Sequence, residues 1–209
     1  MKRINIKLTY IDELLGTCSA NPDIHAEFIA SKAPDAQSRE EEVAAIGTEA
    51  AIDKAMTVFP RDENGNPFLW DYQIKGFFKD SCGMLRRADN MKSKGLKAYK
   101  KEIDGLVFVF PRRIPLVMPA GGHVGSCQRP LRASTAQGER VALANSETVP
   151  EGTTQEFTVT VLRDGLVPLV REWLDYGALH GTGQWRNSGK GRFVYAAYDE
   201  NGEKLFGTA

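Results

Sequence analysis

Alternation and helical spacing divide this chain into elements before any motif is considered. Ile4, Ile6, Leu8 and Tyr10 alternate with Asn5, Lys7 and Thr9, which predicts a half-buried opening strand. A turn-rich loop over 16–23 follows, broken at Asn21-Pro22. Ser38 and Glu41 have the spacing of a capping box, and Val43, Ile46 and Ala50 share a stripe behind them, so a helix is predicted over 38–56. Thr57 to Pro60 and Pro67 to Trp70 are short apolar runs on either side of Asp62-Glu63-Asn64-Gly65-Asn66, which predicts an inserted β-hairpin. Ile74, Phe77, Phe78 and Leu85 form the core stripe of a helix over 72–88.

Further along, Leu106 to Phe110 is an unbroken run of β-formers, continued past a kink at Pro111 by 112–118. The segment 119–136 is rich in Gly, Ser and Arg and is expected to be a functional loop or thumb-like projection, because long loops are seldom idle. Strands are predicted at 139–144 and 155–162. A helix follows at 166–176, with Pro168 in its first turn and Val167, Val170, Trp173 and Leu174 packing inward. After a glycine-rich stretch come a strand over 193–198 and a last turn at Asn201-Gly202.

That stretch carries the most suggestive chemistry. Gly177, Gly181, Gly183, Gly189 and Gly191 fall within fifteen residues, and Gln184, Trp185, Arg186, Asn187, Ser188 and Lys190 lie among them. Glycine reaches φ > 0 easily and lets a backbone approach a ligand closely. Successive amides in such turns can form an anion-binding concavity. Trp185 offers a stacking face, and Arg186, Lys190 and Arg192 add positive charge with no acid between them. Basic groups, an aromatic and amides together suit a nucleotide or a single strand of nucleic acid. A surface loop with Trp185 packed inward is the competing reading. The stretch matches neither GxxxxGK[ST] nor GxGxxG.

Net charge is zero, yet residues 11–56 hold ten acids against three bases, whereas 61–113 hold twelve bases against seven acids. The balance argues against a general nucleic-acid coat and allows a basic face opposite an acidic one. The acidic helix is expected to be a solvated cover, with protein binding as the alternative. Lys75, Lys79 and Arg86 fall on one side of their helix, with the lysine-rich segment 91–101 nearby and Arg129 and Arg132 in the middle loop. They form either a solvated face or a row that contacts phosphates. Gly76, near the helix start, is a place where a ligand backbone has room. Cys18, Cys82 and Cys127 are odd in number and widely spaced, which disfavours a disulfide framework or a structural zinc site. No cofactor or metal is expected. No apolar run approaches a membrane span, and the opening residues lack a signal-peptide core, so a cytoplasmic setting is expected. Neither HExxH nor GxSxG occurs. Of His25, His123 and His180, the last is the best placed for catalysis or ligand contact, at the entry to the glycine-rich stretch.

Helix, then LHGTGQWRNSGKGRF, then strand resembles the C-terminal glycine-rich loop of the RAMP superfamily, the repeat-associated proteins of CRISPR effectors. Pro67 to Phe78 resembles that family's segment of strand, then small-polar-Lys-Gly, then helix. Ile4 to Tyr10 followed by Leu14-Leu15-Gly16 gives a third, weaker match, in the family's order. Trp70-Asp71-Tyr72 stands where many members have Pro-Gly-Ser, and the insertion between Pro22 and Ala55 is unusual. The resemblance implies one α+β domain over 1–209: a ferredoxin-like antiparallel sheet with helices on one face, carrying insertions at about 22–56 and 119–136. It implies binding of guide RNA backbone and side-by-side packing with like or related subunits. In some members an acid after the first strand assists RNA cleavage, and Asp23 lies in the corresponding region.

Three function classes remain open on the sequence. The first is a non-catalytic RNA-binding subunit of a CRISPR-type effector. The second is a stand-alone, phage-encoded relative that sequesters a small nucleotide signal. The third is a protein-interaction scaffold without nucleic acid. In the first two, Gly181, Gly183, Gly189 and Gly191 shape the loop, Trp185 stacks on a base, and Arg186, Lys190, Lys75 and Lys79 hold phosphates.

Overall fold

The computed structural model describes residues 1–20, 56–135 and 138–208, with the backbone alone over 131–135 and 138–143. The predicted acidic helix, Asp23 and His25 lie outside the described residues. The organising strand is β1 (Lys2–Tyr10), whose Ile4, Ile6, Leu8 and Tyr10 are buried as the alternation predicts. It pairs antiparallel on one side with β10 (Thr154–Val161), placing Ile6 opposite Phe157. On the other side it pairs with β11 (Phe193–Tyr198), placing Leu8 opposite Tyr195. Beyond β10 lie β6 (Val107–Phe110) and β7 (Arg113–Val117), two halves of one strand divided by the cis Phe110–Pro111 peptide. The edges are β5 (Phe68–Trp70) on β7 and β12 (Lys204–Gly207) on β11.

Two helices cover one face of this sheet: α1 (Asp71–Leu85) and α3 (Val167–His180). Chain order β1, α1, β6/β7, β10, α3, β11 with spatial order β11-β1-β10-β6/β7 is the ferredoxin-like arrangement, so the fold class expected from the sequence is present. Ile74, Phe77, Phe78 and Cys82 of α1 meet Leu169, Val170, Trp173 and Leu174 of α3 in the core. Gly177 belongs to this packing. A Cβ there would lie 2.4 Å from Phe77 Cζ and 2.8 Å from Phe193 Cζ, closer than atoms can approach. The helix runs on through Gly177 to His180 instead of ending at Tyr176. At the start of α1, the Trp70 amide donates to Gln73 Oε1 at 2.7 Å and caps the helix.

Three sequence expectations are corrected. Residues 57–60 and 67–70 pair only beside the turn, where Arg61 bridges Pro67 and the Phe68 amide donates to the Pro60 carbonyl at 3.0 Å, and they do not continue as a two-stranded hairpin. Strand β4 (Met56–Val58) runs parallel to β9 (Gly138–Val149) in a second sheet, while β5 joins the central one. The turn itself is as expected, with Asp62 Oδ1 accepting the amides of Asn64 at 2.9 Å and Asn66 at 2.8 Å, and it forms a corner between sheets. Most of the expected loop over 119–136 is also a strand, β8 (Gly125–Thr135), paired with β9 from Gly125↔Thr148 to Thr135↔Gly138. The ladder along β9 overrides a composition poor in β-formers. The result is a long two-stranded arm, a thumb in outline. Finally, α2 (Tyr99–Leu106) occupies the end of the lysine-rich segment and takes Leu106 out of the predicted strand. A short helical turn before it, Lys92–Gly95, is anchored by Glu172 of α3, which accepts the amides of Lys92 at 2.7 Å and Ser93 at 2.9 Å. The second sheet is completed by β2 (Leu14–Leu15) on β9 and β3 (Cys18–Ser19) on β4.

Candidate nucleic-acid interface

The loop after α3 is closed at its neck by backbone. The Thr182 amide donates to the Gly191 carbonyl and the Gly191 amide to the Glu13 carbonyl, each at 2.9 Å. Gly191 has φ +72, and a Cβ on it would lie 2.1 Å from the Thr182 carbonyl oxygen, so only glycine fits. Beneath the neck Tyr10 is fully buried. Its hydroxyl donates to Gln155 Oε1 at 3.0 Å, and burial pushes its pKa up to about 12.

Acids distant in sequence hold the sides of the loop. Arg186 pairs with Asp80 of α1, Lys190 with Glu13 at 2.5 Å, and Arg192 with Asp12 at 2.7 Å. All six side chains are partly exposed, so each pair is worth at most about 1 kcal/mol and can exchange its carboxylate for another anion. The sequence shows no acid between these cations, yet the fold supplies one to each.

The tip is different. Trp185 is a non-glycine residue at φ +55, and it is 39% exposed. The Arg129 guanidinium, brought in by β8, lies 5.2 Å from its ring centroid. Arg129 also donates to Gln184 Oε1 at 2.8 Å and to Ser146 Oγ at 3.2 Å, and Gln184 Nε2 donates to the Gly16 carbonyl at 3.2 Å. Two residues singled out for separate reasons, Arg129 and Trp185, thus form one cluster with Gln184. Asn187 and Ser188 are exposed beside it, and their side chains have no hydrogen-bond partner among the described residues. Gly183 and Gly189 also adopt positive φ in the loop. Arg132 lies on the same strand as Arg129, opposite Val141.

The lysine row lies on another side of α1. Lys79 pairs with Asp104 of α2. Lys75 Nζ donates to the Asp104 carbonyl at 3.1 Å and sits 5.0 Å from the Phe108 ring centroid. Burial holds the Lys75 ammonium below its ordinary pKa, opposed by Asp104. Arg86 covers the Tyr99 ring at 5.0 Å. The side of α1 that meets the loop presents Asp80 instead. Gly76 has open space where a Cβ would be. His180 ends α3 with its ring 5.0 Å from that of Tyr176, and burial, with Arg186 adding to it, holds its pKa below the ordinary value. Among the described residues no cluster of His, Cys, Asp or Glu is arranged to hold a metal ion, and no helix is long and apolar enough to cross a membrane. Two surface hollows, of 320 and 520 Å³, lie around Asn5, Phe110 and Thr158 on the open face of the central sheet, away from the loop.

No protein-family model matches the chain, and no curated protein matches it in sequence. Among solved structures it is similar to a chain in the cryo-EM structure of the type III-B Cmr-beta bound to cognate target RNA, with a TM-score of 0.52 and 9% identity. The match covers 99% of this chain and 60% of that one, so this chain spans a little under two thirds of the length of its structural neighbour. At that identity the likeness is one of fold.

Proposed function

We propose that this chain is a non-catalytic, RAMP-like RNA-binding subunit that works beside like or related subunits in a CRISPR-type effector. One observation carries the reading: an exposed indole, Trp185, lies on a guanidinium at the tip of a loop whose neck is closed by backbone hydrogen bonds and whose sides are held by ion pairs. A rigid aromatic platform next to cations is what a single-stranded base and its phosphates require. Support also comes from the ferredoxin-like fold and from its likeness to a chain of the RNA-bound Cmr-beta. In this reading Trp185 stacks on a base, and Arg186 and Lys190 exchange Asp80 and Glu13 for phosphates.

The test is what accompanies the purified protein. Material extracted from it at moderate salt is sized by gel and mass spectrometry, and the particle is sized by chromatography with and without nuclease. Intact RNA of defined length in a multi-subunit particle is the expected result. A single small nucleotide would replace this reading with that of a sequestering protein. No bound material, together with no affinity for added single-stranded RNA, would overturn it.

A further inference from the structure

Arg129 differs from the other cations around the loop. Arg186, Lys190 and Arg192 each have a carboxylate partner. Arg129 has none among the described residues, although it is only 7% exposed. A buried charge without a counter-charge is strongly disfavoured. Neutral groups hold it instead: Ser146 Oγ, Gln184 Oε1 and the face of Trp185. These partners are themselves fixed, since Ser146 Oγ shares a 2.7 Å hydrogen bond with Thr57 Oγ1 and Gln184 Nε2 is tied to the Gly16 carbonyl. A guanidinium has five N–H donors, and these two hydrogen bonds leave three over. The amides of Gly183, Gln184 and Trp185 likewise donate to no acceptor among the described residues. Among the described residues, donors without acceptors thus collect where one charge has no carboxylate partner.

We propose that Arg129 is the phosphate receptor of this site, taking the phosphate of a nucleotide unit whose base lies on the outer face of Trp185. The assignment rests on the RNA-binding reading and narrows it to one cation. The shape of the group fits the task, because a planar fork fixed by packing matches two phosphate oxygens at once. Gln184 acts as a positioning residue that sets the fork's plane. The Trp185 ring, with Arg129 on one face, leaves its other face for a base. The shared ligand chemistry is a nucleoside phosphate, from an RNA strand or from a free nucleotide.

Tryptophan fluorescence of the whole chain tests this, because Trp70 and Trp173 are buried and Trp185 is the exposed one of the three. A short single-stranded RNA and adenosine 5′-monophosphate are titrated separately into wild type, R129Q, R129K, R186Q and W185F. The expected result is quenching of wild type by RNA that is absent in W185F. Affinity should fall by about tenfold in R129Q and about threefold or less in R186Q. The salt slope of R129Q should be shallower by about 0.7, that of one lost phosphate contact on a single strand. R129K keeps the charge but not the fork, so it should lose affinity while keeping the slope, and it decides the matter should R129Q not fold. RNA binding by wild type with no loss in R129Q or R129K overturns the assignment and leaves the RNA-binding reading intact. Response to the monophosphate alone, lost in R129Q, supports the assignment and overturns the RNA reading. Response to neither probe overturns both.

Discussion

The lysine row of α1 and the glycine-rich loop after α3 are built from the same kinds of residue, and in the sequence they suggest one basic face. The fold sets them on different sides of α1 and treats them differently. Along the row, Lys79 pairs with Asp104, Lys75 covers Phe108, and Arg86 covers Tyr99, so the cations lock α1 against α2 and β6. In the loop, acids fasten the sides, while the tip keeps an exposed aromatic and a cation whose partners among the described residues are all neutral. The number of cations therefore does not mark a binding surface. What marks it is an exposed aromatic beside a cation: in the row Lys79 is paired and Lys75 and Arg86 cover half-buried rings, whereas Arg129 lies on the exposed Trp185.

Two glycines, one in each region, give the largest expected contrast. In Gly191→Ala the new methyl meets the Thr182 carbonyl, and the backbone must hold a positive φ that L-residues disfavour. A loss of about 3 kcal/mol or more is expected. Gly76→Ala adds a methyl into open space on a helix surface, and should stabilise by about 0.5–1 kcal/mol. Urea unfolding of both variants checks the pair, and a stable Gly191→Ala would mean that the loop is not fixed at its neck.

Alkaline pH acts on the loop region through Tyr10. Its folded pKa is raised from 10.0 to about 12, so the folded state keeps a proton that the unfolded chain releases. Stability is complete below pH ~10 and falls as pH rises toward 12, by on the order of 2 kcal/mol. Tyr10→Phe should be less stable at neutral pH, having lost its hydrogen bond to Gln155, and should fall less steeply over that interval. An identical slope in the variant would assign the alkaline loss elsewhere. In RNA binding, Trp185→Ala should lose about 1–3 kcal/mol. Lys79→Ala should change affinity by about threefold or less, because its charge already has a partner. Equal losses in filter binding would erase the distinction between the regions.

The central architecture was legible because β1, α1, β10, α3 and β11 each bury one face and so show a clean period. The misread elements lacked that signal. In β8, Gly, Ser, Arg and Pro stand where a strand usually has β-formers, and pairing along β9 decides the matter. In β4 the local apolar run was right but its partner lay far along the chain, at Asn145 and Ser146. Gly177 has the look of a helix stop, but it is a contact with Phe77 and Phe193. At the site, Trp185 and Arg129 were both visible as chemistry, yet nothing local joins a residue of the middle segment to the loop. The acids that neutralise the loop were not visible in their role, since Asp80 lies 106 residues from Arg186 and Glu13 lies 177 from Lys190. Pairing over such distances is a property of topology, and no window of sequence contains it.

The smallest expected effect sharpens the comparison most, because it converts one region toward the other. Asp104→Asn removes the carboxylate that holds Lys79 while leaving the backbone carbonyl that Lys75 uses. Lys79 then has no carboxylate partner among the described residues. If RNA passes within reach of α1, its affinity at low salt should rise by about two- to threefold and the salt slope should steepen by about 0.7. Asp80→Asn does the same for Arg186 in the loop. With RNA centred on Trp185, the gain from Asp80→Asn should exceed that from Asp104→Asn. The reverse order would place the RNA along α1 and leave the loop as a structural clasp, with Asp104 acting as the brake on its binding.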